Sequence, residues 1–533
     1  MEIIRTHKYW RLLEILPGLT SWLALILPFW LAMYYPIIVA SIAITYAVFW
    51  FFRSVRLSVY LLFSYNKTKK ALETNWHTYL NLVDNPQEID EAIKNSPDIS
   101  EQETFKKLKT TIAKLKANND YKTSAQIYNF ILYVTYKESL LVVETSLKSY
   151  IESDFDTKKM VFVFAGEERD QANVEQMSKY LKEKYGHHFH DFITTIHPKD
   201  IEGEIKGKSA NATWAAKKIK AYADEKGIAY DDIMVSNFDA DTITHPSYFA
   251  ELTYKYITEL DRNNRTYQPT HMYHNNIWDV PIIVRMIALM GTFWRMAESM
   301  DEDKYRSFSS RSLSLKTTID VDYWDPGVIP EDSRQYWTAY VLSNGKHKLV
   351  AIYSPLYMDA VLSASYVETF KSQYIQLRRW AWGACDFPFI VLNLMQNKKI
   401  KLWTKIYQIY HIFIAHFFWA TAAISITILG WLPGLLNSEF RNTVLAHYTP
   451  NITSLMLNLA AIGMIVSTVI SLVLIPKRPS GKGIWDNISL IVQWVFIPIT
   501  SIFFSAIPAL DAQTRLMFNK RLEYKVTEKA RKN

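Results

Sequence analysis

At 533 residues the chain exceeds what one hydrophobic core usually holds, so more than one structural unit is expected. Its formal net charge is +8, but the lysines and arginines gather beside apolar segments, where they set membrane orientation and meet anionic lipid. That placement argues against a nucleic-acid-binding protein, and the lone cysteine, Cys385, excludes an internal disulfide and a cysteine-rich metal site.

In chain order, a short basic start precedes apolar runs over 12–34 and 36–52, joined by Met33-Tyr-Tyr-Pro36. The first run is long enough to cross a bilayer, and the second is near the minimum. Lys8 and Arg11 on one flank, with Arg53 and Arg56 on the other, place both ends of this hairpin in the cytoplasm. No small-residue cleavage site follows, so an uncleaved anchor is expected. Residues 53–124 turn polar, with helical spacing around Ile89-Asp-Glu-Ala-Ile93, and read as a solvated linker or insertion.

A strand-like run, Ile127-Tyr-Asn-Phe-Ile-Leu-Tyr-Val134, opens the soluble domain. A helix carrying Leu140, Val143, Leu147 and Tyr150 follows, then a second strand, Met160-Val-Phe-Val-Phe164. Strand, helix, strand begins a Rossmann-like parallel sheet, with ligands expected beyond the carboxyl ends of its strands. The next such end is Ile233-Met-Val-Ser-Asn-Phe-Asp-Ala-Asp-Thr242. Its Asp239 and Asp241 offer two hard oxygen ligands suited to Mg2+ or Mn2+, although such a pair also occurs in solvated turns. Lys208, before a helix over 215–223, is either a phosphate ligand at a helix N-terminus or an exposed loop lysine. The apolar run 280–296 holds Arg285 and Arg295 and reads as an amphipathic helix of the soluble domain.

Five segments in order, Thr135-Tyr-Lys-Glu138, Gly207-Lys-Ser-Ala-Asn211, Asp239-Ala-Asp241, Pro330-Glu-Asp332 and Gln376-Leu-Arg-Arg-Trp380, carry a resemblance. Over about 125–386 the chain resembles the membrane-bound, inverting family 2 glycosyltransferases, the group of cellulose, chitin and hyaluronan synthases. The resemblance implies an α/β GT-A (Rossmann-like) cytosolic domain with α-helical transmembrane segments at both ends. It implies Asp332 as the base that takes the acceptor proton, and Asp239 and Asp241 as metal ligands, with Asp239 also touching the nucleotide. It further places Tyr136, Glu138, Glu168, Lys208 and Arg379 at the nucleotide and diphosphate, and Gln376, Trp380 and Glu331 at the acceptor.

Glu331 could raise the proton affinity of Asp332 by like-charge proximity, or cap a helix starting near Ser333, and the cap is the reading preferred here. Arg379 and Trp380 equally suit an interfacial helix at the headgroups. The chain departs from the family where Ala165-Gly-Glu-Glu-Arg-Asp170 replaces an Asp-Asp-Gly-Ser pattern, leaving Glu168 or Asp170 as base-recognising carboxylate. Ser307-Phe-Ser-Ser-Arg311 stands where synthases have a Phe-Phe-Cys-Gly-Ser-like finger.

Beyond Trp380, an interfacial helix is expected, then spans over 406–432 and 452–475. His411 and His416 within the first either line a sugar path or pack near the interface. The third apolar run, 484–510, would as a simple span leave the basic tail outside, so a surface helix pair or a re-entrant segment broken at Pro498 and Pro508 is expected. Tyr524-Lys-Val-Thr-Glu-Lys529 resembles the gating loop of cellulose synthases through Tyr524, Val526, Thr527 and Lys529, or is a basic tail on lipid.

The divisions read from the sequence are a transmembrane hairpin (1–52), a helical linker (53–124), the GT-A domain (125–385), an interfacial helix (386–402), a membrane region (403–510) and a basic cytosolic tail (511–533). The expected protein is an integral, multi-pass protein of the cell membrane with a cytoplasmic catalytic domain. It extends a β-linked polysaccharide from a nucleotide-sugar, most simply a UDP-sugar. Its partners are that donor, a glycan or lipid-linked acceptor, membrane lipid and an export subunit, with no nucleic acid. The alternatives are single transfer to a polyprenyl-phosphate or lipid acceptor, and a catalytically silent assembly or transport subunit.

Overall fold

The computed structural model describes residues 7–460, 462–477, 479 and 483–523. The chain forms two compact units, one comprising residues 1–65, 273–304 and 359–533, the other residues 66–272 and 305–358. Residues 273–304 and 359–385, read from the sequence as part of the soluble domain, thus group with the apolar helices.

The second unit is built on an eight-stranded sheet: β1 (Tyr128–Val134), β2 (Met160–Glu167), β3 (Asp191–His197), β4 (Ile233–Phe238), β5 (Ile243–Thr244), β6 (Arg265–Met272), β7 (Arg311–Ser314) and β8 (Lys348–Tyr357). The order is β3-β2-β1-β4-β7-β6-β8-β5. The first four strands are parallel, and β7 joins β4 antiparallel. Strand order reverses between β1 and β4, so their carboxyl ends flank the topological switch point where such sheets bind ligands. This is the α/β, Rossmann-like architecture that the GT-A resemblance implies, combined with apolar helices toward both ends of the chain.

Both faces of the parallel strands are covered, which is why β1, β2 and β4 read as nearly unbroken apolar runs. Successive side chains still alternate. Ile131, Tyr133, Phe162 and Phe164 enter one core, with helices Leu140–Ile151 and Tyr248–Thr258. Phe130, Leu132, Val161, Val163 and Ala165 enter the other, against Ala212, Ala215, Ala216, Ile219 and Ala223 of the helix Lys208–Lys226. Alanines on that face bring the helix close to the sheet. In the stretch read as a solvated linker, the helices Trp76–Asp84, Ile89–Asn95 and Ile99–Ala117 bury Trp76, Tyr79, Leu80, Phe105 and Leu108 in the aromatic core.

The first unit contains most of the apolar helices. Among the described residues, four helical segments are long and apolar enough to cross a membrane: Trp10–Tyr34, Pro36–Glu73, Leu402–Ile428 and Ile488–Met517. Leu12, Leu23, Ile26, Trp30, Ile37 and Phe52 are exposed on the first two, as lipid-facing side chains would be. Ala32, Val39, Ala43, Leu429 and Leu432 pack together. Pro36–Glu73 is one 38-residue helix, roughly 57 Å long at 1.5 Å per residue, so it outruns the 36–52 span read from sequence. Gly18 lets helix Ile507–Met517 approach Trp10–Tyr34, because a Cβ there would meet the Gln513 carbonyl oxygen at 2.9 Å.

Across the expected span 452–475 the described residues are helical, in Val444–Ala460 and Ile462–Leu474. The run from 484 is broken. Helix Ile484–Val492 gives way to short turns of other pitch, Phe504 has φ −116° and ψ 15°, and Ile507–Met517 closes it. Pro498 and Pro508 each sit at the start of a new segment, where the missing N–H costs nothing. The helix Ile282–Glu298, assigned above to the soluble domain, packs on this run. Its buried Arg285 donates to Gln493 Oε1 at 2.9 Å and to Ser489 Oγ at 2.5 Å, and Phe293 stacks on Trp494. The Arg285 guanidinium finds hydrogen-bond acceptors there, which explains an arginine on a largely buried helix.

Ala216 is fully buried between helix and sheet. Ala216→Leu is expected to destabilise the full chain by about 1–3 kcal/mol through overpacking, read as a lower thermal midpoint in detergent.

Candidate functional site at the carboxyl edge of the parallel sheet

The register aligns Val134 with Ala165 and Tyr133 with Phe238, so the residues following β1, β2 and β4 emerge along one edge. Asp239 is the first residue beyond β4. Its N–H donates to Ser310 Oγ at 3.0 Å, and that hydroxyl also lies 3.0 Å from Thr242 Oγ1. Ser310 has φ +54°, an uncommon conformation for a residue with a side chain, and it precedes β7 directly. Beneath the turn, Tyr133 Oη and Ser146 Oγ donate to the Ala240 carbonyl at 2.5 and 3.0 Å. The Asp-x-Asp turn is therefore pinned from both sides. Asp241 is buried, with Glu138 among its charged neighbours.

Lys208 is the first residue of its helix and is largely buried. The helix start is tied to β2 by Asn211 Nδ2, which donates to the Ala165 carbonyl at 2.9 Å. Thr213 Oγ1 donates to the Trp324 carbonyl at 2.7 Å, and Ile205 N–H donates to Pro326 O at 2.8 Å. These contacts hold the 324–330 loop beside the helix, and the loop delivers Glu331 and Asp332 into the first turn of helix Glu331–Leu342.

Lys208 Nζ pairs with Asp239 Oδ1 at 2.5 Å. Burial alone would lower the ammonium's pKa, but the charges of Asp239 and then Asp332 hold it above the ordinary lysine value. Asp332 Oδ1 accepts from Arg311, whose guanidinium is fully buried and also donates to Gln335 Oε1 at 2.5 Å. Two cations thus face three carboxyl groups. Glu331 resolves the imbalance, because burial, reinforced by the charge of Asp332, pushes its carboxyl well above the usual carboxylate range despite Lys208. With Glu331 protonated, Lys208 and Arg311 balance Asp239 and Asp332.

Glu331 is the first residue within the helix. Pro330 is the residue before it, and no side-chain hydrogen bond caps the helix there. The expected cap is therefore replaced by a buried acid.

Tyr136, Glu138, Glu168 and Asp170 lie on the loops after β1 and β2. Glu138 turns back on its own loop, where its Oε2 accepts from Thr135 Oγ1 at 2.6 Å and from the Tyr136 N–H. Burial, partly offset by those hydrogen bonds, raises its pKa. The Tyr136 ring lies under the Arg169 guanidinium, 4.4 Å from its centre. Glu168 Oε2 accepts the Lys199 N–H at 2.9 Å, and Asp170 Oδ2 accepts the Lys137 N–H at 3.0 Å. Both carboxylates therefore tie loops together at this edge.

Gln376, Arg379 and Trp380 belong to the first unit, on helix Tyr366–Ala381. Gln376 is buried and accepts from Gln373 Nε2 at 3.2 Å, and the Arg295 guanidinium sits 5.5 Å from the centre of the Trp380 ring. His411 lies edge-on to Tyr407. Tyr524, Val526, Thr527 and Lys529 fall outside the described residues.

Sequence reasoning missed Arg311. It lies in the serine-rich stretch Ser307 to Ser314, whose alternating serines give no apolar strand signal. Among the described residues no group of three or more His, Cys, Asp or Glu side chains is placed to hold a metal ion. Asp239 and Asp241 supply two carboxylates, hard oxygen donors of the type that suits Mg2+ or Mn2+.

No family model matches the chain, and no curated protein matches it. Among solved structures, the chain is similar to the mannosyltransferase PcManGT from Pyrobaculum calidifontis, in complex with GDP-Man and Mn2+. That likeness has 10% identity over 87% of this chain and 100% of that one, at a TM-score of 0.40. It is also similar to TarS of S. aureus, with 13% identity over 63% of this chain and 55% of that one, at 0.31. A third likeness is to GalNAc-T7 with UDP, GalNAc and Mn2+, with 11% identity over 56% and 57% of the two chains, at 0.29. Likenesses this distant assign no function.

Removing Arg311 strands a partly buried carboxylate. Arg311→Met is expected to cost about 3–5 kcal/mol, and adding Asp332→Leu to recover part of it, both read from thermal midpoints of the full chain. A protonated buried Glu331 favours the folded state fully below its unfolded value near 4.5, and that contribution is lost as pH rises toward its folded value. Wild type should therefore lose thermal stability from pH 5 to 8 more steeply than Glu331→Gln.

Proposed function

We propose that the chain is a membrane-embedded inverting glycosyltransferase that transfers a sugar from a nucleotide-sugar, most simply a UDP-sugar, to a growing β-linked glycan. The observation that carries this reading is the assembly of Lys208–Asp239 and Arg311–Asp332 at the switch-point edge of the sheet. With Asp241, two residues beyond Asp239, it would supply a cation for a diphosphate, two acids for a metal and a carboxylate base.

Asp239 and Asp241 would hold Mg2+ or Mn2+, which when bound neutralises the departing diphosphate. Asp332 is the base. Arg311 keeps its Oδ1 engaged, and Oδ2 takes the acceptor hydroxyl proton. The acceptor oxygen then bonds to the anomeric carbon from the face opposite the diphosphate as the carbon–oxygen bond to the diphosphate breaks. Lys208 exchanges its partner Asp239 for the phosphate oxygens. Glu331, kept neutral by burial, stands beside Asp332 without adding a charge that would repel the acceptor oxygen as it develops negative charge.

By the sequence resemblance, Arg379 serves the diphosphate and Gln376 and Trp380 the acceptor, while Tyr136, Glu138 and Glu168 shape the nucleotide end. The four apolar segments support an integral protein, and the basic flanks of the first hairpin support a cytoplasmic catalytic unit.

Nucleoside diphosphate release by the full chain in lipid, across UDP- and GDP-sugars with Mg2+ or Mn2+, tests this reading. One donor should give metal-dependent release that Asp332→Asn lowers about 100-fold or more. Release from no donor, with glycan and lipid acceptors supplied, would favour a silent assembly subunit.

A further inference from the structure

Within the first unit, the last turns of helix Ile507–Met517 face helix Tyr366–Ala381 across a basic cleft. Asp511 is shared, since its Oδ2 accepts from Arg378 at 2.9 Å and from Tyr374 Oη at 3.1 Å, and its Oδ1 accepts from Arg515 at 2.7 Å. A few residues on, Arg521 pairs with the buried Glu14 at 2.8 Å. Glu14 already accepts from Arg11 at 2.8 Å and from Trp10 Nε1 at 3.0 Å. Arg378, Arg379, Arg515 and Arg521, with Glu523, line a cleft of about 250 Å³.

Arg11 and Arg521 share Glu14 while Arg378 and Arg515 share Asp511, so these ion pairs set four guanidiniums against two carboxylates. Arg378 Nε is buried and has no hydrogen-bond partner among the described residues. Two carboxylates shared among four arginines hold the side chains in place without neutralising them. Planar guanidinium forks presented together match the tetrahedral oxygens of phosphate.

The cleft also has a definite place. It lies at the end of one apolar segment, Ile488–Met517, and beside the start of another, Trp10–Tyr34, because Arg11 donates to the Leu516 carbonyl at 2.8 Å and to the Met517 carbonyl. Phe518, next in the chain, is exposed. Guanidiniums and an exposed aromatic ring at the end of an apolar helix mark headgroup depth.

We propose that this cleft is a phosphate-binding site, with Arg378, Arg515 and Arg521 as ligands for a phosphate mono- or diester carried on a lipid or presented free in solution. Arg379, which also lines the cleft, belongs to the transfer reading, whereas Arg378, Arg515 and Arg521 have no part in it.

The full chain, in a non-ionic, phosphate-free detergent, is titrated with dihexanoyl phosphatidic acid, with dihexanoyl phosphatidylcholine and with inorganic pyrophosphate, and binding is followed by calorimetry. Wild type is expected to bind phosphatidic acid, and Arg515→Gln and Arg521→Gln each to weaken it tenfold or more. The exposed Lys399→Gln should leave it unchanged, and Arg515→Lys should fall between. Unliganded thermal midpoints near wild type show that the variants fold. Phosphatidic acid bound without pyrophosphate identifies a lipid source, and both bound and lost in the same variants identifies a site open to free phosphate as well. No binding of either, or binding unchanged in both glutamine variants, overturns the proposal.

Discussion

The ion pair between Lys208 and Asp239 is the constraint on which the candidate site depends. A lysine that enters a helix start at the carboxyl edge of a parallel sheet gives up water, and it remains charged because acidic groups surround it. The surrounding structure is arranged to keep it there. Asn211 anchors the helix to β2, Ser310 and Tyr133 pin the turn that carries Asp239, and Thr213 holds the loop that brings Asp332. The arrangement is poised, since the same carboxylate that stabilises the lysine is the one a metal would claim. A diphosphate could satisfy both, by taking the lysine and supplying ligands to the ion.

Much of this edge was legible in the sequence. β1, β2 and β4 could be read because strands buried on both faces are apolar without a break, and the polar residues at their ends then stand out. The helix containing Ala215 and Ala216 was legible too, although it starts at Lys208, several residues earlier than its apolar spacing indicated. The strands β5 to β8 were not, because they are short or mix polar residues into a sheet whose order is set by tertiary pairing. Arg311 was invisible for that reason. Its partner lies 21 residues away, and only the pairing of β7 with β4 and the 324–330 loop bring the two together.

The helices over 76–117 were misjudged for a related reason. The longest, Ile99–Ala117, carries one apolar stripe among many lysines and glutamates, which looks like a solvated surface until a partner helix covers the stripe. Glu331 shows the limit of reading a helix start from its sequence alone. An acid near Pro330 suggests capping, yet the loop geometry places Glu331 inside the helix, where burial and Asp332 keep its proton on. In the first unit, Pro498 and Pro508 correctly marked breaks in the last apolar run.

The central claim is that Asp239 and Asp241 complete a metal site only together with a nucleoside diphosphate. Electron paramagnetic resonance of Mn2+ added to the full chain, with and without UDP or GDP, addresses it most directly, because it requires neither the donor sugar nor the acceptor. The account predicts weak Mn2+ binding alone, tight binding with one of the two nucleotides, and loss of that enhancement in Asp239→Asn. Mn2+ bound equally tightly without nucleotide, or an enhancement that survives Asp239→Asn, would contradict it.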